Sequence, residues 1–160
     1  MATLKKYRWL LIPALVALAG FFFFYRLYHR DVKALTGVLL AYEKFDKAVS
    51  DFSTRLLAQN LAGPPAANDP ERKAEEALAE LEAKASARIS SLIKNDAELM
   101  KLTLEIARLS GKELAALKAY KRAAADMSAD LPTLAKETAD LARERQTAHA
   151  RFRELAGLKD

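Results

Sequence analysis

Residue types that ligate metals or act as nucleophiles are scarce in this chain of 160 residues, which contains no cysteine and two histidines. A di-metal site in a helical bundle uses Glu-x-x-His pairs on facing helices. Neither His29 nor His149 follows a carboxylate by three residues. We interpret both histidines as surface residues and predict no metal site.

The motifs of nucleophilic and phosphate chemistry are also missing from the sequence. It has no G-x-S-x-G elbow, no Gly-rich phosphate loop and no H-E-x-x-H helix. The densest acidic segment precedes Lys84 and Arg88 and consists of Glu71, Glu75, Glu76, Glu80 and Glu82. This pattern is typical of a solvated helix face with ion pairs one turn apart. We therefore expect neither enzymatic activity nor a cofactor.

The net charge of +5 comes from the amino-terminal segment alone. Residues 1–30 hold five basic residues and no acidic one, whereas residues 31–160 hold 21 of each sign. Basic residues beside an apolar segment meet lipid headgroups. Because the remainder of the sequence has no basic stripe with aromatic stacking partners, nucleic acid is not an expected partner.

An uncharged apolar run extends from Trp9 to Tyr25. With one or two interfacial residues at each end, a helix here measures about 30 Å, enough to cross the hydrocarbon core of a bilayer. Aromatic and basic side chains flank it at headgroup level, and we assign Tyr7, Arg8, Trp9, Tyr25, Arg26 and Tyr28 to the membrane interface. Pro13 is expected in the first turns, where its missing N–H is least damaging.

A cleaved signal peptide is the alternative reading of this run, but its end lacks the small residues that signal peptidase needs. The run instead ends in Phe21, Phe22, Phe23 and Phe24, which cover the whole circumference of a helix. These side chains are expected to contact lipid, or alternatively another transmembrane helix or a bound pigment. The basic residues on the two sides of the run are nearly balanced. We expect a cytoplasmic amino terminus and an extracytoplasmic remainder, as in a bacterial periplasm.

A heptad pattern follows the apolar run. Its apolar positions are Leu35, Val38, Tyr42, Phe45, Val49, Phe52 and Leu56. This seam predicts that the membrane helix continues to about residue 61, before a linker at 62–69 that contains Gly63-Pro64-Pro65. The seam residues and the four phenylalanines are our candidates for contacts with partner chains.

Three further helices are predicted, over residues 70–109, 112–128 and 132–156. Asp69 and Pro70 are typical of a helix start, and Gly157 of a helix end. Ser110 and Glu113 fit a capping box, which predicts a turn between the second and third helices. A single helix through Gly111 is the alternative. The fourth helix has the heptad positions Leu134, Thr138, Leu141, Arg145, Ala148, Phe152 and Leu155.

The predicted fold is all-α: a tail and transmembrane helix in residues 1–30, then an antiparallel bundle or coiled coil of three or four helices in residues 31–160. The function that we expect is that of a non-enzymatic, structural or accessory subunit of a larger membrane complex, with lipid and other integral membrane proteins as partners. The alternatives are a sensory, ligand-binding bundle outside the cytoplasm and a homo-oligomeric coiled-coil tether.

Overall fold

Four α-helices make up nearly all of the part of the chain that the computed structural model describes, residues 3–58, 69–86, 96–126 and 130–157. They are α1 (Thr3–Ala58), α2 (Pro70–Ala85), α3 (Asp96–Ala125) and α4 (Leu131–Leu155). Within these ranges there is no β-strand. The all-α class and the helical bundle that the sequence predicts are therefore confirmed.

Helix α1 is continuous for 56 residues and has two parts with opposite surroundings. From Leu35 to Leu56 every position of the predicted seam is buried. From Leu15 to Tyr28 all large apolar side chains except the half-buried Leu27 are exposed, because no other described helix packs against them. The helix begins at Thr3, so Pro13 lies in its interior and not in its first turns as predicted.

Helix α2 begins as the sequence predicts and ends earlier. The Asp69 side chain accepts a hydrogen bond from the backbone N–H of Glu71 (3.0 Å), and Pro70 occupies the first turn. The helix ends at Ala85 with Ser86 in a turn, so the prediction of one helix over 70–109 is wrong. The part of this prediction at 87–95, and the linker at 62–68, lie outside the described residues.

Helix α3 corrects the predicted turn at Ser110. The helix passes through Ser110 and Gly111 without a break, so the single-helix alternative is the right one and Ser110 does not cap a helix. The capping-box residues are instead buried in the bundle. Apolar positions continue in phase on both sides of Gly111, and their burial outweighs the ~1 kcal/mol that a glycine costs inside a helix.

The helices alternate in direction. Lys44 pairs with Glu80 between α1 and α2, and the side chain of Lys84 lies beside Gly37, so residue numbers rise on one helix as they fall on the other. The pairs of Lys121 with Glu71 and of Lys118 with Glu75 give the same relation for α2 and α3. Arg145 pairs with Glu113 and Arg151 with Glu98, so α4 is antiparallel to α3 as well. The bundle is therefore up-down-up-down over the described helices.

Helices α1 and α4 are set apart from one another. The described backbones of α1 and α4 stay more than 8 Å apart (Cα–Cα), whereas every helix packs closely against α3. Only long side chains such as Tyr42 and His149 close the space between α1 and α4. Helix α4 ends at Leu155, and Gly157 follows in the left-handed region (φ 68°), as the sequence predicts.

The described side chains do not provide the expected membrane span. Over this part of the chain, no helix combines the length and the apolar character needed to cross a membrane.

Candidate functional site: a buried arginine between two carboxylates

Arg145 of α4 is the centre of a charged cluster inside the bundle. Its side chain is only 2% exposed. Its Nε donates to Glu113 Oε2 of α3 (2.5 Å), and its Nη2 donates to Asp46 Oδ1 of α1 (2.7 Å). One guanidinium therefore joins three helices, using the planar, forked donor geometry that arginine offers to carboxylates.

Aromatic rings surround the guanidinium on the α1 side. Its Cζ lies 5.1 Å from the ring centroid of Tyr42 and 5.4 Å from that of Phe45. The Tyr42 ring is also stacked on His149, one helical turn beyond Arg145 on α4. Cation–π attraction at these distances favours the charged form of arginine and partly replaces its lost hydration.

The two partners of the strongest ion pair differ in their electrostatics. Burial raises the pKa of the Glu113 carboxyl above its ordinary value, although the neighbouring Arg145 opposes this change. Burial also works against the charge of Arg145, but the Glu113 carboxylate and the other acidic neighbours hold the pKa of Arg145 above its ordinary value. The arginine is therefore always charged, and Glu113 is the member of the pair whose charge is lost on acidification.

The aromatic pair beside the cluster is held in its neutral form. Burial raises the pKa of Tyr42 to about 12. Burial, together with the positive charges of Arg153 and Arg145, lowers the pKa of His149 to about 4. Both rings are consequently uncharged near pH 7, which suits their stacked packing between the helices.

Several buried polar atoms near the cluster have no hydrogen-bond partner among the described residues. They are Arg145 Nη1, His149 Nε2 and Ser110 Oγ. A buried polar atom without a partner costs about 1–3 kcal/mol. The cluster is therefore less stabilising than its ion pairs suggest, and an apolar replacement of the whole set would be tolerated.

A cleft of about 290 Å³ opens beside the cluster, between α1, α3 and α4. Glu113 lies at its inner end, and the other lining residues are small, apolar or hydroxylated: Ser53, Leu56, Leu117, Tyr120, Ala135, Thr138, Ala139 and Ala142. The cleft combines an apolar wall with a few polar groups, which is the composition of small-molecule sites.

The acidic segment of α2 makes ion pairs, but mainly with neighbouring helices and not, as the sequence predicts, one turn apart along α2 toward Lys84. Glu71 and Glu75 pair with Lys118 and Lys121 of α3, and Glu80 pairs with Lys44 of α1. These side chains are wholly or partly exposed, so each pair contributes less than about 1 kcal/mol. Among the described side chains, no group of three or more histidine and acidic residues is arranged to hold a metal ion.

The residues predicted to contact partners fall into two sets. The four phenylalanines from Phe21 to Phe24 are exposed, at 58–67%. The seven seam residues from Leu35 to Leu56 are buried within this chain's own bundle, and their assignment to partner contacts stays a prediction. Tyr25 and Tyr28 are exposed beside the phenylalanines, whereas Tyr7, Arg8 and Trp9 have side chains outside the described part.

His149 corrects a second prediction, because it is stacked inside the bundle and is not an ordinary surface residue. The pairing of Arg145 with Glu113 is not among the predicted contacts, although the sequence contains a signal for it. Arg145 occupies a seam position of α4, and Glu113 continues the 3-4 spacing of Leu102, Ile106 and Leu109 on α3. A charged side chain at a buried seam position needs a partner of opposite charge. Arg145 on one seam and Glu113 on another therefore predict an ion pair between them. Comparison of the chain with protein-family models, with curated proteins and with solved structures finds no match.

Proposed function

We propose that this protein is a membrane-anchored accessory subunit, in which the amino-terminal part of α1 lies in a bilayer and the bundle stands on one face of it. The anchor would contact lipid and neighbouring transmembrane helices, and the bundle would bind the extramembrane surface of the same complex. We assign the bundle to the extracytoplasmic side.

The observation that carries the proposal is the exposed apolar part of α1. The large side chains from Leu15 to Phe24 are 58–67% exposed and cover all sides of the helix. They continue the uncharged run that begins at Trp9. Apolar side chains on every face of a helix favour a surrounding that is itself apolar, such as lipid or another protein.

The position of the bundle relative to this segment supports the same proposal. The buried seam begins at Leu35, directly after the basic and aromatic residues Arg26, Tyr28 and Arg30. Headgroups interact favourably with such residues at the end of a membrane segment. A bundle that starts one turn later would rest close to the surface of the bilayer.

Membrane flotation tests the anchor. We expect the full chain to float with liposomes and to resist extraction by carbonate. The double variant Leu18→Arg/Phe22→Arg should stay in the soluble fraction, because each arginine costs about 2.5–3.5 kcal/mol in the hydrocarbon core. Leu40→Arg is the matched control, since Leu40 is an exposed leucine of the same helix within the bundle part. Flotation of the double variant would contradict the proposal.

Isolation in mild detergent tests the accessory role. Stoichiometric co-purification of several integral membrane proteins with the wild-type chain, and their loss from the double variant, is the expected result. Recovery of the chain alone or as a homo-oligomer would refute the accessory role and favour the tether. A single cysteine at Lys136, introduced into this cysteine-free chain, should react with an impermeant maleimide added outside intact cells.

A further inference from the structure

Helices α1 and α4 are separated by a gap, and large side chains fill this gap at only one of its two ends. Toward the end of the bundle that contains Leu35, the side chains of Tyr42, His149 and Phe152 occupy the space between the two helices. Toward the other end, α4 presents Ala135, Ala139 and Ala142, whose methyl groups are too short to reach α1. The cleft of about 290 Å³ lies there, with α3 as its floor.

Four polar side chains line the cleft: Ser53, Glu113, Tyr120 and Thr138. The contacts of Glu113 and Thr138 define what these two can accept. Glu113 is 3% exposed and lies at the inner end, where its Oε2 accepts from Arg145. The Thr138 hydroxyl donates to the carbonyl of Leu134 (2.8 Å), which leaves its oxygen as an acceptor. Both groups thus present acceptor oxygens to a molecule in the cleft, against walls that are mainly aliphatic.

We propose that this cleft binds a small apolar molecule with one hydrogen-bond donor, of the size of a substituted phenol, and that the donor contacts Glu113. The volume is roughly twice the ~150 Å³ of a protein cavity that holds benzene. A single ring with one or two substituents therefore fits without displacing the helices. The inference goes beyond the accessory role, because every residue that lines the cleft belongs to the bundle.

The charges beside the cleft select against anions. The guanidinium of Arg145 faces two carboxylates, Glu113 and Asp46, so the cluster has an excess of one negative charge when both are ionised. An anionic group directed at Glu113 would meet like charge in a partly desolvated place, whereas a hydroxyl would find an acceptor.

Alanine-methyl NMR of the full chain in lipid nanodiscs tests the proposal, with p-cresol as the probe. We expect saturable shifts at the methyls of Ala135, Ala139 and Ala142, and none at Ala74, which is buried in α2 away from the cleft. p-Xylene, which lacks the donor, should bind about three- to tenfold more weakly. The anion 4-methylbenzoate should produce no saturable shift.

Ala139→Leu fills the cleft and should weaken p-cresol binding by at least about tenfold. Ala150→Leu is the matched control, because Ala150 is an exposed alanine of α4 that does not line the cleft, and it should change the dissociation constant by less than about twofold. Lipid partitioning is the same in both variants. Equal affinities for the two variants, or shifts spread over all alanine methyls, would overturn the site. Equal affinities for p-xylene and p-cresol would overturn the stated ligand class.

Discussion

The rings of Tyr42 and His149 are stacked, with centroids 3.6 Å apart and planes 11° from parallel. Tyr42 lies on α1 and His149 on α4, the two helices whose described backbones stay more than 8 Å apart. This stack and the adjacent Arg145 therefore form the bridge between the two helices, and changes in their charge should be felt as changes in stability.

Acidification should destabilise the bundle through His149. Its pKa is lowered from 6.5 to about 4 in the folded chain, so the unfolded chain binds more protons in this interval. The contribution is then fully present above about pH 6.5 and is lost as the pH falls toward 4. The shift corresponds to about 3 kcal/mol, which solvent screening of the half-buried ring reduces to about 2 kcal/mol. Urea unfolding of the full chain across this pH range measures the effect.

The variant His149→Phe isolates that contribution, because phenylalanine can stack on Tyr42 and does not titrate. Glu113 has a raised pKa and acts in the opposite direction, since its contribution falls as the pH rises, but it is present in both proteins. The charged or titratable groups around His149 are likewise common to both: Tyr42, Asp46, Glu113, Arg145 and Arg153. Parallel pH curves for the two proteins would disprove the assignment.

Removal of the guanidinium alone should be costly. Arg145→Met leaves Glu113 buried without its cation, and we expect a loss of about 3–5 kcal/mol in the free energy of unfolding at neutral pH. The double variant Arg145→Met/Glu113→Met should recover most of this loss, because apolar side chains of similar size replace the whole pair. A double variant no more stable than Arg145→Met would show that the pair is not the origin of the effect.

The seam of α1 should be sensitive to truncation, and its outer face should not. Phe45 is fully buried, so Phe45→Ala should lower the free energy of unfolding by about 3–5 kcal/mol. Leu40, on the same helix, is 60% exposed, and Leu40→Ala should change it by less than about 0.5 kcal/mol. Chemical denaturation of the two variants provides the comparison, and similar losses would contradict the assigned core.

Two glycines should respond to alanine in opposite ways. A Cβ at Gly111 would meet only Leu78 Cδ2 at 4.0 Å, an ordinary contact inside a helix, so Gly111→Ala should stabilise by about 0.5–1 kcal/mol. Gly157 has a φ of 68°, which strains any other residue, so Gly157→Ala should destabilise by about 1 kcal/mol. Thermal unfolding should give melting temperatures shifted in opposite directions.

Positions with a strong periodic signal were predictable. Every seam residue of α1 from Leu35 to Leu56 is buried, because a 3-4 spacing places them on one stripe of the helix. The start of α2 at Asp69-Pro70 and the end of α4 before Gly157 follow from local backbone chemistry.

The errors came from places where tertiary packing overrides a local signal. Ser110 and Glu113 match a capping box, yet both are buried within α3, because the apolar positions around them pack in phase with those of α2 and α4. No glycine or proline follows Ala85 closely, so the sequence contains no local signal for the end of α2 there. Heptad spacing predicts that the seam of α1 is buried, but it does not indicate whether another chain or the other helices of this chain pack against it.

Because α1 is continuous, the exposed amino-terminal part and the bundle part have a fixed relative rotation about the helix axis. Phe21 and Leu56 belong to one unbroken helix and lie about 53 Å apart along it. A twist applied at the phenylalanines cannot be absorbed at the seam, where Phe45 and Phe52 are locked among neighbouring side chains. A neighbour that binds the exposed phenylalanines therefore also fixes the rotation of the bundle about the axis of α1. This rotation determines whether α3 or α4 faces a given neighbouring molecule.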